Sequence, residues 1–94
     1  MGKKTYTYRH SLGAAEAARR IEPAIEEMAK KYGLKMERGG DGRTRLSRTG
    51  VEAVIEVGDS EVSASVELSW MLEKTLRGQV EKGIAARIEG LLEP

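Results

Sequence analysis

Polar and apolar residues alternate from Thr5 to Arg9 and put Tyr6 and Tyr8 on one side of an extended segment, which predicts a first strand. From Ala14 the period changes. Ala14, Ala18, Ile21, Ile25, Met28 and Tyr32 follow one another by steps of four, three, four, three and four, the spacing of one apolar stripe on a helix. Ser11 is the expected N-cap and Gly33 the C-terminal stop. Pro23 lies inside the pattern, lacks a backbone donor, and predicts a bend near Arg19 to Glu22. Period two then returns for about 35 residues in four short segments. Leu34 and Met36 mark the first, Thr44 and Leu46 the second, Val51, Ala53, Ile55 and Val57 the third, and Val62, Ala64, Val66 and Leu68 the fourth. Gly39-Gly40-Asp41-Gly42, Thr49-Gly50 and Gly58-Asp59-Ser60 supply the reversals between them. So regular an alternation predicts an antiparallel sheet with one buried and one wet face, Arg43 and Arg45 meeting Glu52 and Glu56 on the wet side.

A second helix is predicted from about Trp70 to Leu92, with Leu72, Leu76, Val80, Ile84, Ile88 and Leu92 at intervals of four. A step of four drifts about 40° around a helix that turns about 100° per residue. Such a helix is roughly 35 Å long, against roughly 24 Å for the width of five strands. Ile84, Ile88, Leu91 and Leu92 are therefore expected to overhang the sheet and to be covered by the first helix or by a partner, most simply a second copy of the chain. With Trp70 and Met71, which anchor either the core or a partner surface, they form the expected partner-binding set. The architecture is α+β, ordered β-α-β-β-β-β-α, with both helices on one face of the sheet. The position of the first strand in that sheet is open, since a strand separated by a helix pairs with either edge of a meander.

Length makes this a single domain over residues 1–94, with little material for a deep enzyme pocket. Sixteen basic and fifteen acidic residues leave a formal charge of +1, no footprint for nucleic acid. The absence of cysteine excludes disulfides and thiolate zinc sites, and no apolar run approaches the roughly 20 residues of a membrane span. The basic start, Met1-Gly2-Lys3-Lys4, runs into Thr5-Tyr6-Thr7-Tyr8 rather than an apolar stretch, so no signal peptide is expected and the expected location is the cytoplasm. His10, in Arg9-His10-Ser11-Leu12-Gly13, is the only histidine. It has no cysteine, second histidine or carboxylate cluster with which to form a catalytic or metal site, so His10, Ser11 and Gly13 are read as structural residues of a strand-to-helix corner. The glycine-rich loop after Arg38 is followed by neither Gly-Lys-Ser/Thr nor a helix and is a hairpin turn, not a phosphate loop. No catalytic residue, metal or cofactor is expected.

The ordered landmarks are Arg9-His10-Ser11-Leu12-Gly13, Ala14 and Ala18-Arg19, Tyr32-Gly33-Leu34, Arg48-Thr49-Gly50-Val51, Val62 to Leu68, and an isoleucine- and leucine-bearing last helix. In these the chain resembles the polyhydroxyalkanoic acid system family, also called polyhydroxyalkanoate granule region proteins. The resemblance implies a small bacterial protein at storage granules, without established catalytic residues. Two functions follow as expectations. One is a non-enzymatic protein that binds a hydrophobic partner, a granule surface or a granule protein. The other is a small-molecule binder or enzyme with a cavity between sheet and helices, for which a pocket of about 300–1,000 Å³ would be needed.

Overall fold

The computed structural model describes residues 2–40 and 42–93 and has the element order read from the sequence. The strands are β1 (Gly2–Arg9), β2 (Lys35–Arg38), β3 (Arg43–Arg48), β4 (Val51–Val57) and β5 (Glu61–Leu68). Helix α1 spans Ala14–Tyr32 and α2 Trp70–Ile84, continued by a π-helical turn over Ala85–Glu89. All strand pairs are antiparallel, in the order β1-β5-β4-β3-β2. The first strand therefore joins the sheet at β5, the edge far from β2, with Tyr6 opposite Ala64 and Tyr8 opposite Val62.

Alternation sorts the faces as expected. Leu46, Ala53, Ile55, Val62, Ala64, Val66 and Leu68 point into the core beneath both helices, where α1 contributes Ala17, Ile21, Ile25 and Ala29. On the outer face Arg43 donates to Glu56 (3.1 Å) and Arg45 to Glu52 (2.8 Å), the pairs anticipated from the strand pattern. These pairs are exposed and contribute at most about 1 kcal/mol each. Helix α1 runs uninterrupted through Pro23 and ends at Gly33, whose left-handed backbone (φ 65°, ψ 37°) lets its N–H reach back to the carbonyls of Ala29 and Lys30. Of the glycine-rich turn between β2 and β3, Asp41 lies outside the described residues.

Of the two expected covers for the end of the last helix, the structure supplies the first helix and not a partner. Ile84, Ile88 and Leu92 are 4%, 0% and 3% exposed and belong to the core of the single chain, while Leu91 packs half-buried against it. Two features account for this. Helix α1 lies alongside the C-terminal segment, where Arg20 donates to the Glu93 and Leu91 carbonyls (2.6 and 3.4 Å) and Glu27 pairs with Arg87. The π turn, closed by i→i+5 bonds, also advances less per residue than an α-helix. It counters the drift of the step-of-four stripe and returns Ile88 and Leu92 to the buried face.

Candidate functional site

The strand-to-helix corner is stitched to the β4–β5 hairpin. The backbone N–H of His10 donates to the Ser60 carbonyl (2.9 Å), its Nε2 lies 3.0 Å from the Gly58 carbonyl oxygen, and its Nδ1 accepts the Leu12 N–H (3.2 Å). Accepting at Nδ1 and facing a carbonyl at Nε2 matches the tautomer that donates from Nε2. Both ring nitrogens are thus committed to backbone. Gly13 completes the corner with φ 82°, a conformation that side-chain-bearing residues rarely adopt. Because Gly13 itself is the last non-helical residue, Ser11 stands two positions too early to cap α1 and makes no capping bond, contrary to the sequence expectation. Asp59, from the neighbouring hairpin, takes that role by accepting the Ala14 N–H (3.4 Å). Replacing His10 by glutamine is expected to lower stability by about 0.5–2 kcal/mol, the range for a lost partly buried hydrogen bond. Urea unfolding measures it; an unchanged midpoint would separate His10 from the corner's stability.

A second cluster was not anticipated from the sequence. Arg77 is 8% exposed, pinned between α2 and the sheet. Its guanidinium donates to both carboxylate oxygens of Glu73 (2.8 and 3.0 Å), to the Tyr6 hydroxyl (3.2 Å) and to the Val66 carbonyl (3.4 and 3.5 Å). The Tyr6 hydroxyl in turn donates to Glu81 (2.9 Å), which also pairs with Lys4 (3.3 Å). The hydrogen bonds from Arg77 hold the Glu73 carboxyl below its ordinary range, and those from Tyr6 and Lys4 do so for Glu81. Burial, followed by the bond to Glu81, pushes the Tyr6 hydroxyl up. The signal in the sequence was spacing: Arg77 stands seven residues before Ile84 and eleven before Ile88, on the stripe those residues share. This cluster ties α2 to β1 and β5.

Of the expected partner-binding residues, Trp70 and Met71 remain at the surface. They are 67% and 64% exposed and open α2 beside the turn at Gly50, whose carbonyl accepts the Ser69 N–H (2.9 Å). Ile84, Ile88 and Leu92 are unavailable to a partner, being buried inside the chain. Between the two helices and the sheet lies an apolar cavity of about 90 Å³, small beside the about 300–1,000 Å³ of ordinary ligand pockets. A wider cleft of about 570 Å³ beside His10, Tyr8 and Glu89 is open to solvent and polar in part. Among the described residues no group of three or more His, Asp or Glu side chains is placed to hold a metal ion. No helix among them is long and apolar enough to cross a membrane.

The comparisons with known proteins bear on these surfaces. The family described as "Putative polyhydroxyalkanoic acid system protein" matches residues 6–92, from the first tyrosine of β1 to the last buried leucine. The chain belongs to this family. No curated protein matches the sequence. Among solved structures, the NMR structure of PA4090 from Pseudomonas aeruginosa is similar over 92% of this chain and 83% of that one, with 13% identity and a TM-score of 0.54. The crystal structure of TTHA0849 from Thermus thermophilus aligns over 97% of this chain and 92% of that one, with 13% identity and a TM-score of 0.41. The first of these shares the fold. Within the polyhydroxyalkanoic acid system family match lie the His10 corner, the Arg77 cluster and the exposed Trp70–Met71 pair alike.

Proposed function

We propose that the protein is a non-enzymatic binding protein of the polyhydroxyalkanoic acid system, working in the cytoplasm, that docks on the hydrophobic polyester surface of a storage granule through Trp70 and Met71. The observation that carries this reading is the exposure of two adjacent large apolar side chains at the tip of α2. Solvent has no use for such a pair, whereas a hydrophobic surface would recover much of their transfer free energy. Family membership supports this choice of surface, since a polyhydroxyalkanoate is an apolar polyester. The committed nitrogens of His10 and the satisfied Arg77 cluster favour binding over catalysis.

Trp70 is the only tryptophan, so its fluorescence reports directly on the proposed contact. Adding polyhydroxybutyrate particles to the full-length protein is expected to shift its emission to shorter wavelength and to carry the protein into the pellet. The double variant Trp70→Ser, Met71→Ser should stay folded and lose affinity by about thirtyfold or more, equivalent to about 2 kcal/mol of apolar burial. Pelleting of the double variant as strong as wild type would sink the proposal. A second copy of the chain is the competing occupant, and a concentration-dependent dimer that the same double variant dissolves would assign the pair to self-association instead.

A further inference from the structure

We infer that the crevice between α1 and α2 is a binding site for a short aliphatic carboxylate, the hydrocarbon tail inside and the carboxylate at the rim. The helices touch where Arg20 reaches Leu91 and Glu93 and where Glu27 meets Arg87. Beside the Glu27–Arg87 contact, between the C-terminal half of α1 and the C-terminal half of α2, the apolar cavity of about 90 Å³ remains over β4 and β5. Its floor is Ala53, Ile55 and Ala64, and its walls include Met28, Leu76 and Val80. The two alanines leave the space, since a larger residue at either position would fill it.

The rim carries the recognition chemistry. Lys31, Arg48 and Arg87 line the opening together with one carboxylate, Glu27, which is the partner of Arg87. Arg48 spends one N–H on the Tyr32 carbonyl (2.7 Å), and the Lys31 ammonium stands 5.5 Å from the Tyr32 ring centre. Neither has a carboxylate within ion-pair distance among the described residues. An apolar slot with excess positive charge at its mouth selects an anionic amphiphile over a neutral one. A volume of about 90 Å³ is well below the about 300–1,000 Å³ of drug-sized pockets and admits only a short chain. With the carboxylate left outside, the tail that fits is about three or four carbons long. This site lies apart from Trp70 and Met71 and stands or falls independently of the granule-docking proposal.

The test is an NMR titration of the methyl groups of the intact protein with acetate, propionate, butyrate, pentanoate and hexanoate, and with butan-1-ol as the uncharged control. Affinity is expected to rise about fourfold for each added carbon, the value of one buried methylene, and to level off at about four or five carbons. The shifts should centre on Ala53, Ile55, Met28 and Leu76. Lys31→Gln and Arg48→Gln should each weaken butyrate about fivefold and leave butan-1-ol unchanged. Ala53→Leu should abolish the tail's contribution; if that variant fails to fold, the two exposed charge variants decide the matter. Absence of binding, absence of chain-length dependence, or butan-1-ol binding as tightly as butyrate would each overturn the inference.

Discussion

A protein carrying Ile88→Lys and Leu92→Lys will not fold. Ile88 is among the largest fully buried side chains, and Leu92 is buried beside it. Truncating either to alanine would cost about 2–5 kcal/mol through lost transfer energy and the cavity left behind. Lysine adds the burial of an ammonium group with no carboxylate to receive it, several kcal/mol per site after relaxation. A domain of this length has a total stability of about 5–14 kcal/mol, so the two substitutions together exceed it. Circular dichroism and amide NMR spectra should show an unfolded chain, whereas Ile88→Val should cost only about 0.5–1.5 kcal/mol and keep the native spectrum. A folded double-lysine variant that had merely lost self-association would place these residues on an outer surface and refute the packing described above.

What the sequence disclosed, and what it withheld, follows from the range of the interactions involved. Strand alternation in β4 and β5 reports burial residue by residue, so the sheet faces and the pairing of Arg43 with Glu56 were legible. Gly33 as helix stop was legible too, because a left-handed cap is a local demand. The place of β1 was not. Its partner β5 begins 52 residues beyond the end of β1, and nothing local distinguishes that edge of the meander from β2. The cap of α1 misled for the same reason: Ser11 satisfies the local rule, yet the bond comes from Asp59 across the hairpin. The overhang argument treated the last helix as uniform, and the π turn at Ala85–Glu89 broke that premise. At the candidate site, Trp70 and Met71 were named from the sequence as a surface pair or core pair, and only the packing of α2 separates the two. Arg77 stayed hidden because a charge on an apolar stripe looks like the stripe's edge until its partners on β1 are in place.

Arg77→Met should lower stability by about 1.5–3 kcal/mol and the melting temperature by roughly 6–24 °C, the response of a domain this small. Methionine keeps most of the stem's packing, so the loss isolates the guanidinium. Without it the Val66 carbonyl and the Tyr6 hydroxyl lose a buried donor, and Glu73 loses its guanidinium partner. Breaking a fully buried ion pair costs about 3–5 kcal/mol, but the Glu73 side chain is one-third exposed and regains water, which sets the lower figure. Adding Glu73→Gln to Arg77→Met should recover part of the loss, so that the two substitutions are not additive across the four-protein cycle. The effect depends on pH in a defined direction. Arg77 depresses the Glu73 carboxyl in the folded protein, so the stability it supplies is present above the ordinary carboxylate value of about 4.5 and is lost as pH falls through the depressed one. The gap between wild type and Arg77→Met should therefore be constant from about pH 6 to 8 and narrow as pH falls below about 4.5, leaving the part due to the Tyr6 and Val66 bonds. A variant as stable as wild type at pH 7 would show that α2 is held on β1 and β5 by its apolar stripe alone and that the Arg77 cluster fixes register without adding stability.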